Sequence, residues 1–155
     1  MLAAGEKAPG FALMDQDDSE VTLESLKGNW VVLYFYPRDN TPGCTTQACD
    51  FTARRSEFEG LDAVVVGVSP DSTKSHRGFV EKQSLNLVLL SDPEHEALEA
   101  YSAWKLKKNY GREYMGVQRS TLLIDPEGKI AHAWPNVRAK GHAEAVGKKL
   151  VELKG

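Results

Sequence analysis

Apolar positions in this chain fall into short dense runs, separated by stretches where polar residues dominate and an apolar one recurs every third or fourth place. Residues 29–36, NWVVLYFY, are apolar, β-branched and aromatic almost without a break and stop at Pro37, the pattern of a buried strand. Beyond a polar loop, Cys44 to Gly60 places Ala48, Phe51 and Phe58 among polar residues and ends on glycine, which predicts a helix. Ala63 to Val68, AVVVGV, reads as a second buried strand. Ser72 or Thr73 then caps a charged helix that carries Phe79 and Val80 and runs to Gln83. Leu87 to Leu90 is a short strand closed by Ser91-Asp92-Pro93, and Glu94 to Ala103 a short helix. Ser120 to Ile124, the D-P-E-G turn at Asp125 to Gly128, and Ile130 to Trp134 together predict a β-hairpin. Ala143 to Leu153 closes the chain as an amphipathic helix with Val146, Leu150 and Leu153 on one face. Lys105 to Gly116, KLKKNYGREYMG, has no apolar period and reads as a surface loop.

Early strands that alternate with helices imply parallel crossovers, and the late hairpin implies antiparallel pairing in the same sheet. The expected fold is therefore α/β, a mixed central sheet flanked by helices on both faces. A chain of 155 residues without an internal repeat or linker fits a single domain over 1–155. Apolar residues at 41% and charged residues at 26% argue against disorder. Nineteen basic against 22 acidic side chains leave a net charge of −3, which gives no reason to expect a nucleic-acid partner. MLAAGEKAPG reaches Glu6 and Lys7 without an apolar stretch, and no run approaches the ~18 apolar residues of a membrane span. The expectation is a soluble, cytoplasmic protein, and a monomer, since nothing in the sequence demands an exposed apolar interface.

Candidate chemistry rests on the two cysteines, Cys44 and Cys49. Their C-x-x-x-x-C spacing is not that of a thioredoxin-type dithiol, and none of the four histidines, His76, His95, His132 and His142, stands at a zinc-like spacing from them. On composition alone both could be small buried hydrophobes. Cys44, however, follows a buried strand through the loop Pro37 to Gly43 and opens the next helix, with Pro42 just inside the helix start and Thr41 before it. A free thiol is only about 3% ionised at pH 7. The N–H groups and partial positive charge of a helix start favour the nucleophilic thiolate. Gly43 lets a small substrate approach closely, although a tight capped turn would account for the same residues. The histidines are expected to be surface or capping residues, and Trp30, Trp104 and Trp134 core or groove aromatics.

Pro37-x-x-x-Thr41-x-x-Cys44 resembles the active-site pattern of the peroxiredoxins, thiol peroxidases with a thioredoxin-like fold. The fuller string Tyr34-Phe35-Tyr36-Pro37, Thr41-Pro42-Gly43-Cys44-Thr45 and Gln47-Ala48-Cys49 is similar to the bacterioferritin comigratory protein, or peroxiredoxin Q, branch. The likeness spans nearly the whole chain, from Gly5-Glu6-Lys7-Ala8-Pro9 through Gly67-Val68-Ser69-Pro70-Asp71-Ser72 and Arg119-Ser120-Thr121 to Gly141-His142-Ala143. Two departures stand out: Asp18-Ser19 where the branch usually has Asp-Gly, and Leu122 where it usually has Phe. The resemblance implies a peroxidatic Cys44 whose thiolate becomes a sulfenic acid, and a resolving Cys49 that condenses with it to a disulfide. It implies that Arg119 lies beside the sulfur, that the Thr41 hydroxyl orients the peroxide, and that Pro37 shields the site from water. Hydrogen peroxide and alkyl hydroperoxides would be the substrates and a thioredoxin-like protein the reductant, with no cofactor and no metal. A redox-switched chaperone or peroxide sensor is the alternative from another class, and a general dithiol–disulfide oxidoreductase is the weaker one.

Overall fold

The computed structural model describes residues 2–155. The chain begins with two three-residue strands, β1 (Ala12–Met14) and β2 (Glu20–Thr22), paired antiparallel, and the one-turn helix α1 (Leu23–Leu26). Thr22 and Ser25 close a reciprocal capping box on α1. None of these elements carries enough alternation for the apolar pattern to announce it. The turn between β1 and β2 explains the first departure from the peroxiredoxin Q pattern. Its left-handed residue is Asp18, with φ 58°, so Ser19 does not need the freedom of glycine.

Next come β3 (Trp30–Phe35), α2 (Pro42–Ala53), α3 (Arg55–Gly60), β4 (Ala63–Ser69), α4 (Thr73–Gln83) and β5 (Val88–Ser91). Helix α5 (Glu96–Ala100) precedes β6 (Trp104–Asn109), β7 (Arg112–Val117), β8 (Ser120–Ile124), β9 (Ile130–Trp134) and α6 (His142–Lys154). Seven strands form one mixed sheet in the order β2-β1-β5-β4-β3-β8-β9, with β3, β4 and β5 parallel and the remaining pairs antiparallel. Strand β3 is an inner strand between β4 and β8, and its side chains, with Tyr36 just past its end, divide by parity. Val31, Leu33 and Phe35 join one core with Leu23 of α1 and Leu98 of α5. Val32, Tyr34 and Tyr36 join the other with Cys44 and Phe51 of α2, Phe79 of α4 and Val146 of α6. Leu122, the second departure, is fully buried opposite Leu33.

Three expectations need correction. Lys105 to Gly116 is not a loop: it forms most of the β6–β7 hairpin, a separate two-stranded sheet. Its exposed side chains erase the apolar alternation that would mark strands, and the pairing is set by the Tyr110-Gly111 turn, both residues having positive φ. The helix from Cys44 to Gly60 is two helices, broken at Arg54, whose ψ of 13° leaves the helical range. The helix expected over Glu94 to Ala103 shrinks to Glu96–Ala100, since Ser102 turns left-handed at φ 59° and frees Ala103 to be buried. Among the described residues no helix is long and apolar enough to cross a membrane.

Candidate active site

Helix α2 starts where its sequence dictates. Asn40 reverses the chain at φ 63°, Thr41 is extended, and Pro42 supplies a helical φ at a position whose N–H would be unpaired in any case. Cys44 therefore sits in the first helical turn, where backbone amides lack intrahelical acceptors and the helix dipole is positive. Its side chain is only 1% exposed. Thr41 holds the N-cap position but its hydroxyl does not cap; it donates to the Arg38 carbonyl at 2.9 Å. Pro37 lies exposed in the loop between β3 and α2.

Arg119 reaches this sulfur from far along the chain. It stands in the two-residue link between β7 and β8, and Ser120 pairs with Phe35, so the link lies past the end of β3, where the loop to α2 begins. The carbonyl of Arg119 accepts from the Val137 amide at 2.9 Å, which fixes the backbone. From there Nη2 donates to Cys44 Sγ at 3.1 Å, and Nη1 donates to Gln47 Oε1 at 2.5 Å. The guanidinium thus spans two consecutive turns of one face of α2, as a planar fork can. Gly43 keeps room for it: a Cβ there would stand 3.2 Å from Nη2. Gln47, fully buried, is a site residue to which the sequence reading gave no role. Its spacing of three from Cys44 is the signal that puts both on one helical face.

Both cysteines are free thiols, Cys44 buried and Cys49 half-buried. Cys49 lies two turns into α2 and faces α4, its Sγ 4.0 Å from Gln83 Oε1. The two sulfurs are therefore on one continuous helix but on different faces of it.

A second polar cluster anchors the loop that leads into the site. Tyr36 Oη and Ser75 Oγ each donate to the Asp39 carboxylate at 2.7 Å, and His76 Nδ1 lies 2.7 Å from it. His76 Nε2 donates to the Leu90 carbonyl at 2.9 Å, and the Asp39 amide donates to Asp71 Oδ2 at 2.8 Å. Burial pushes the Asp39 carboxyl up, but His76, Tyr36 and Ser75 together more than offset this and hold it below the ordinary value. Asp39, Asp71 and His76 bring ligand-type atoms within 4.8 Å of one another. Because these atoms already bond one another and their neighbours, the cluster acts as a clamp on the loop and does not require a cation.

His76 is fully buried and His142 only 7% exposed, which corrects the expectation that the histidines are surface residues. Only His95 takes a capping position, at the start of α5, stacked 3.9 Å from Trp104. His142 stands 2.8 Å from the Thr121 hydroxyl and edge-on to Phe51 and Trp134. Burial, reinforced by the charge of Arg119, lowers its pKa from 6.5 to about 4. The folded state therefore disfavours the proton that the unfolded chain takes up at 6.5. The stability this contributes is present above pH 6.5 and is lost as pH falls toward 4. Denaturant unfolding of wild type and His142→Asn at pH 7 and pH 4.5 is expected to show the wild type losing about 1–2 kcal/mol more than the variant. Equal losses would mean that His142 is not the titrating group.

Residues 4–133 match the AhpC/TSA family. The chain is 52% identical over 146 residues to the peroxiredoxin Bcp of Bacillus subtilis, covering 94% of this chain and 93% of that protein. It is 48% identical to a putative peroxiredoxin bcp of Helicobacter pylori, covering 94% and 95%. Among solved structures, a Xylella fastidiosa PrxQ variant superposes with a TM-score of 0.94 at 37% identity, over 100% of this chain and 99% of that one. The Xanthomonas campestris bacterioferritin comigratory protein, studied for alkyl peroxide reduction, gives a TM-score of 0.91 at 39% identity over 96% and 98%.

Proposed function

The chain belongs to the AhpC/TSA family, in its bacterioferritin comigratory protein or peroxiredoxin Q branch, and is a thiol peroxidase of thioredoxin-like fold; from that premise we propose that Cys44 is the nucleophile and Cys49 the resolving thiol. The contact of Arg119 with Cys44 Sγ at 3.1 Å carries this reading. A fixed guanidinium stabilises negative charge on the sulfur and offers further N–H groups to peroxide oxygens. The thiolate attacks one peroxide oxygen, the O–O bond breaks, and the departing alkoxide or hydroxide takes a proton to leave as alcohol or water, while Cys44 becomes a sulfenic acid. With its proton engaged by Arg38, the Thr41 hydroxyl offers lone pairs to a peroxide O–H, and rotation lets it donate to the reacting oxygen instead. Pro37 lines the approach to the sulfur. Hydrogen peroxide and alkyl hydroperoxides are the substrates, and a thioredoxin-like dithiol reduces the enzyme. The protein acts as a cytoplasmic monomer of one domain.

Resolution then requires α2 to open. Five residues along one α-helix separate two Cα atoms by ~8.7 Å and rotate their side chains by ~140°. A disulfide tolerates only ~4.4–6.8 Å. Cys44 and Cys49 both lie inside Pro42–Ala53, so the first turns must unwind before the sulfenic acid meets the Cys49 thiol. Hydrogen exchange is expected to show lower protection across residues 44–53 in the oxidised enzyme than in the reduced one, with the rest of the sheet unchanged. Equal protection in both states would remove the unwinding step. Turnover itself is checked with thioredoxin and excess peroxide: a peroxidase removes many equivalents per chain, whereas a sensor stops near one.

A further inference from the structure

The helix that must open covers, and contains, polar groups that the folded state leaves unpaired. Among the described residues, Tyr34 Oη and Gln47 Nε2 are the buried side-chain polar atoms without a hydrogen-bond partner. Tyr34 projects from β3 toward α2 and is only 1% exposed. Its ring stacks on Phe51 of α2, with centroids 5.0 Å apart and planes at 26°, and has the Tyr36 ring 5.5 Å away. The far end of the ring lies over Gly67, its register partner on β4, where a Cβ would come within 2.8 Å of the hydroxyl oxygen and 3.0 Å of Leu89. The fold thus makes room for a hydroxyl to which it supplies no partner. Burial holds that phenol far above its ordinary pKa, so it remains a neutral, unpaired donor.

An unpaired buried polar group raises the free energy of the state that buries it, and both of these are relieved if α2 unwinds. Gln47 lies inside the segment between the two cysteines, and Phe51 is the lid on Tyr34. Unwinding that extends through Phe51 brings water to both, so the penalty falls on the packed form alone.

We propose that Tyr34 sets the rate of the resolving step, its unpartnered hydroxyl destabilising the packed form of α2 relative to the unwound form in which the Cys44–Cys49 bond is made. In that step the Cys49 sulfur attacks the sulfur of the Cys44 sulfenic acid, the S–O bond breaks, and the departing hydroxide combines with the proton of Cys49 to leave as water. Tyr34 touches none of the reacting atoms; it acts through the helix. The proposal rests on the unwinding reading above.

The test is Tyr34→Phe, which keeps the ring and its stacking and removes only the hydroxyl. Rapid-quench measurement of disulfide formation after one equivalent of hydrogen peroxide is expected to be about fivefold slower or more. Amide exchange over residues 44–53 of the reduced enzyme slows by a similar factor, and the fraction of Cys44 lost to sulfinic acid per turnover rises with it. The rate of the first step with peroxide stays at the wild-type value. An unchanged rate of disulfide formation would overturn the proposal. So would protection that rises equally in α6 and β8, since that would be a global gain in stability and not a bias on α2. A wild-type enzyme that forms the Cys44–Cys49 disulfide without losing protection in α2 would instead strike the unwinding reading, whatever Tyr34→Phe does.

Discussion

Replacing Cys44 by serine is expected to abolish peroxide turnover, by about 10⁴-fold or more, because a hydroxyl at neutral pH offers almost no oxyanion to attack the O–O bond. Replacing Cys49 by serine is expected to leave the first step intact. That variant consumes one equivalent of hydrogen peroxide at the wild-type rate and stops as the sulfenic acid, unless a small external thiol such as dithiothreitol relieves it. The asymmetry follows from where the two sulfurs sit on α2. Cys44 is in the first turn, against the Arg119 guanidinium, whereas Cys49 is two turns on, facing Gln83. Single-turnover stopped-flow separates the steps, and mass spectrometry of the Cys49→Ser product identifies the sulfenic acid. Wild-type turnover by Cys44→Ser would assign the nucleophile wrongly. An immediate loss of the first step in Cys49→Ser would make the second cysteine part of the attacking site.

Arg119→Met is expected to lower the second-order rate of the first step by about 10²–10³-fold, the loss typical of one preorganised donor aimed at developing charge. The methionine keeps the apolar stem but removes both bonds of the fork, leaving Cys44 without its cation and Gln47 Oε1 without its donor. Arg119→Lys is expected to recover only part of the loss. A single ammonium keeps the charge but does not hold Sγ and Oε1 together in one plane. Because Arg119 lies outside α2, neither change removes a residue of the helix, and the Cys44–Cys49 disulfide still forms once the sulfenic acid exists. A rate for Arg119→Met within twofold of wild type would remove Arg119 from the chemistry and leave it as packing.

The central strands, the helix that opens at Pro42 and the position of Cys44 in its first turn were legible in the chain, because each depends on residues close together in sequence. An unbroken apolar run such as Val31 to Tyr36 has few options other than a buried strand, and Thr41-Pro42-Gly43 suits a helix start, although a tight capped turn uses the same residues. What the chain determines locally is the backbone path that brings a cysteine to a helix N-terminus. The resemblance to the peroxiredoxin Q branch added which distant residues to watch.

Only the tertiary structure decided the remainder. Strands β1 and β2 are too short to show a period and exist because β1 lies against β5, where Met14 pairs with Ser91 far along the chain. The β6–β7 hairpin hides from the apolar pattern since almost nothing covers it, so no selection for alternation marks its strands. His76 and His142 sit in the interior because other elements bring them partners: Asp39 and Leu90 meet both nitrogens of His76, and Thr121 meets Nε2 of His142. A polar side chain in isolation gives no sign of partners that folding will bring. The bond from Arg119 to Cys44 closes over 75 residues of sequence and depends on the register of β8 against β3. Local sequence sets which groups are able to react; long-range pairing sets which of them meet, because a hydrogen bond needs its two atoms within about 3 Å and no local rule carries that distance across a fold.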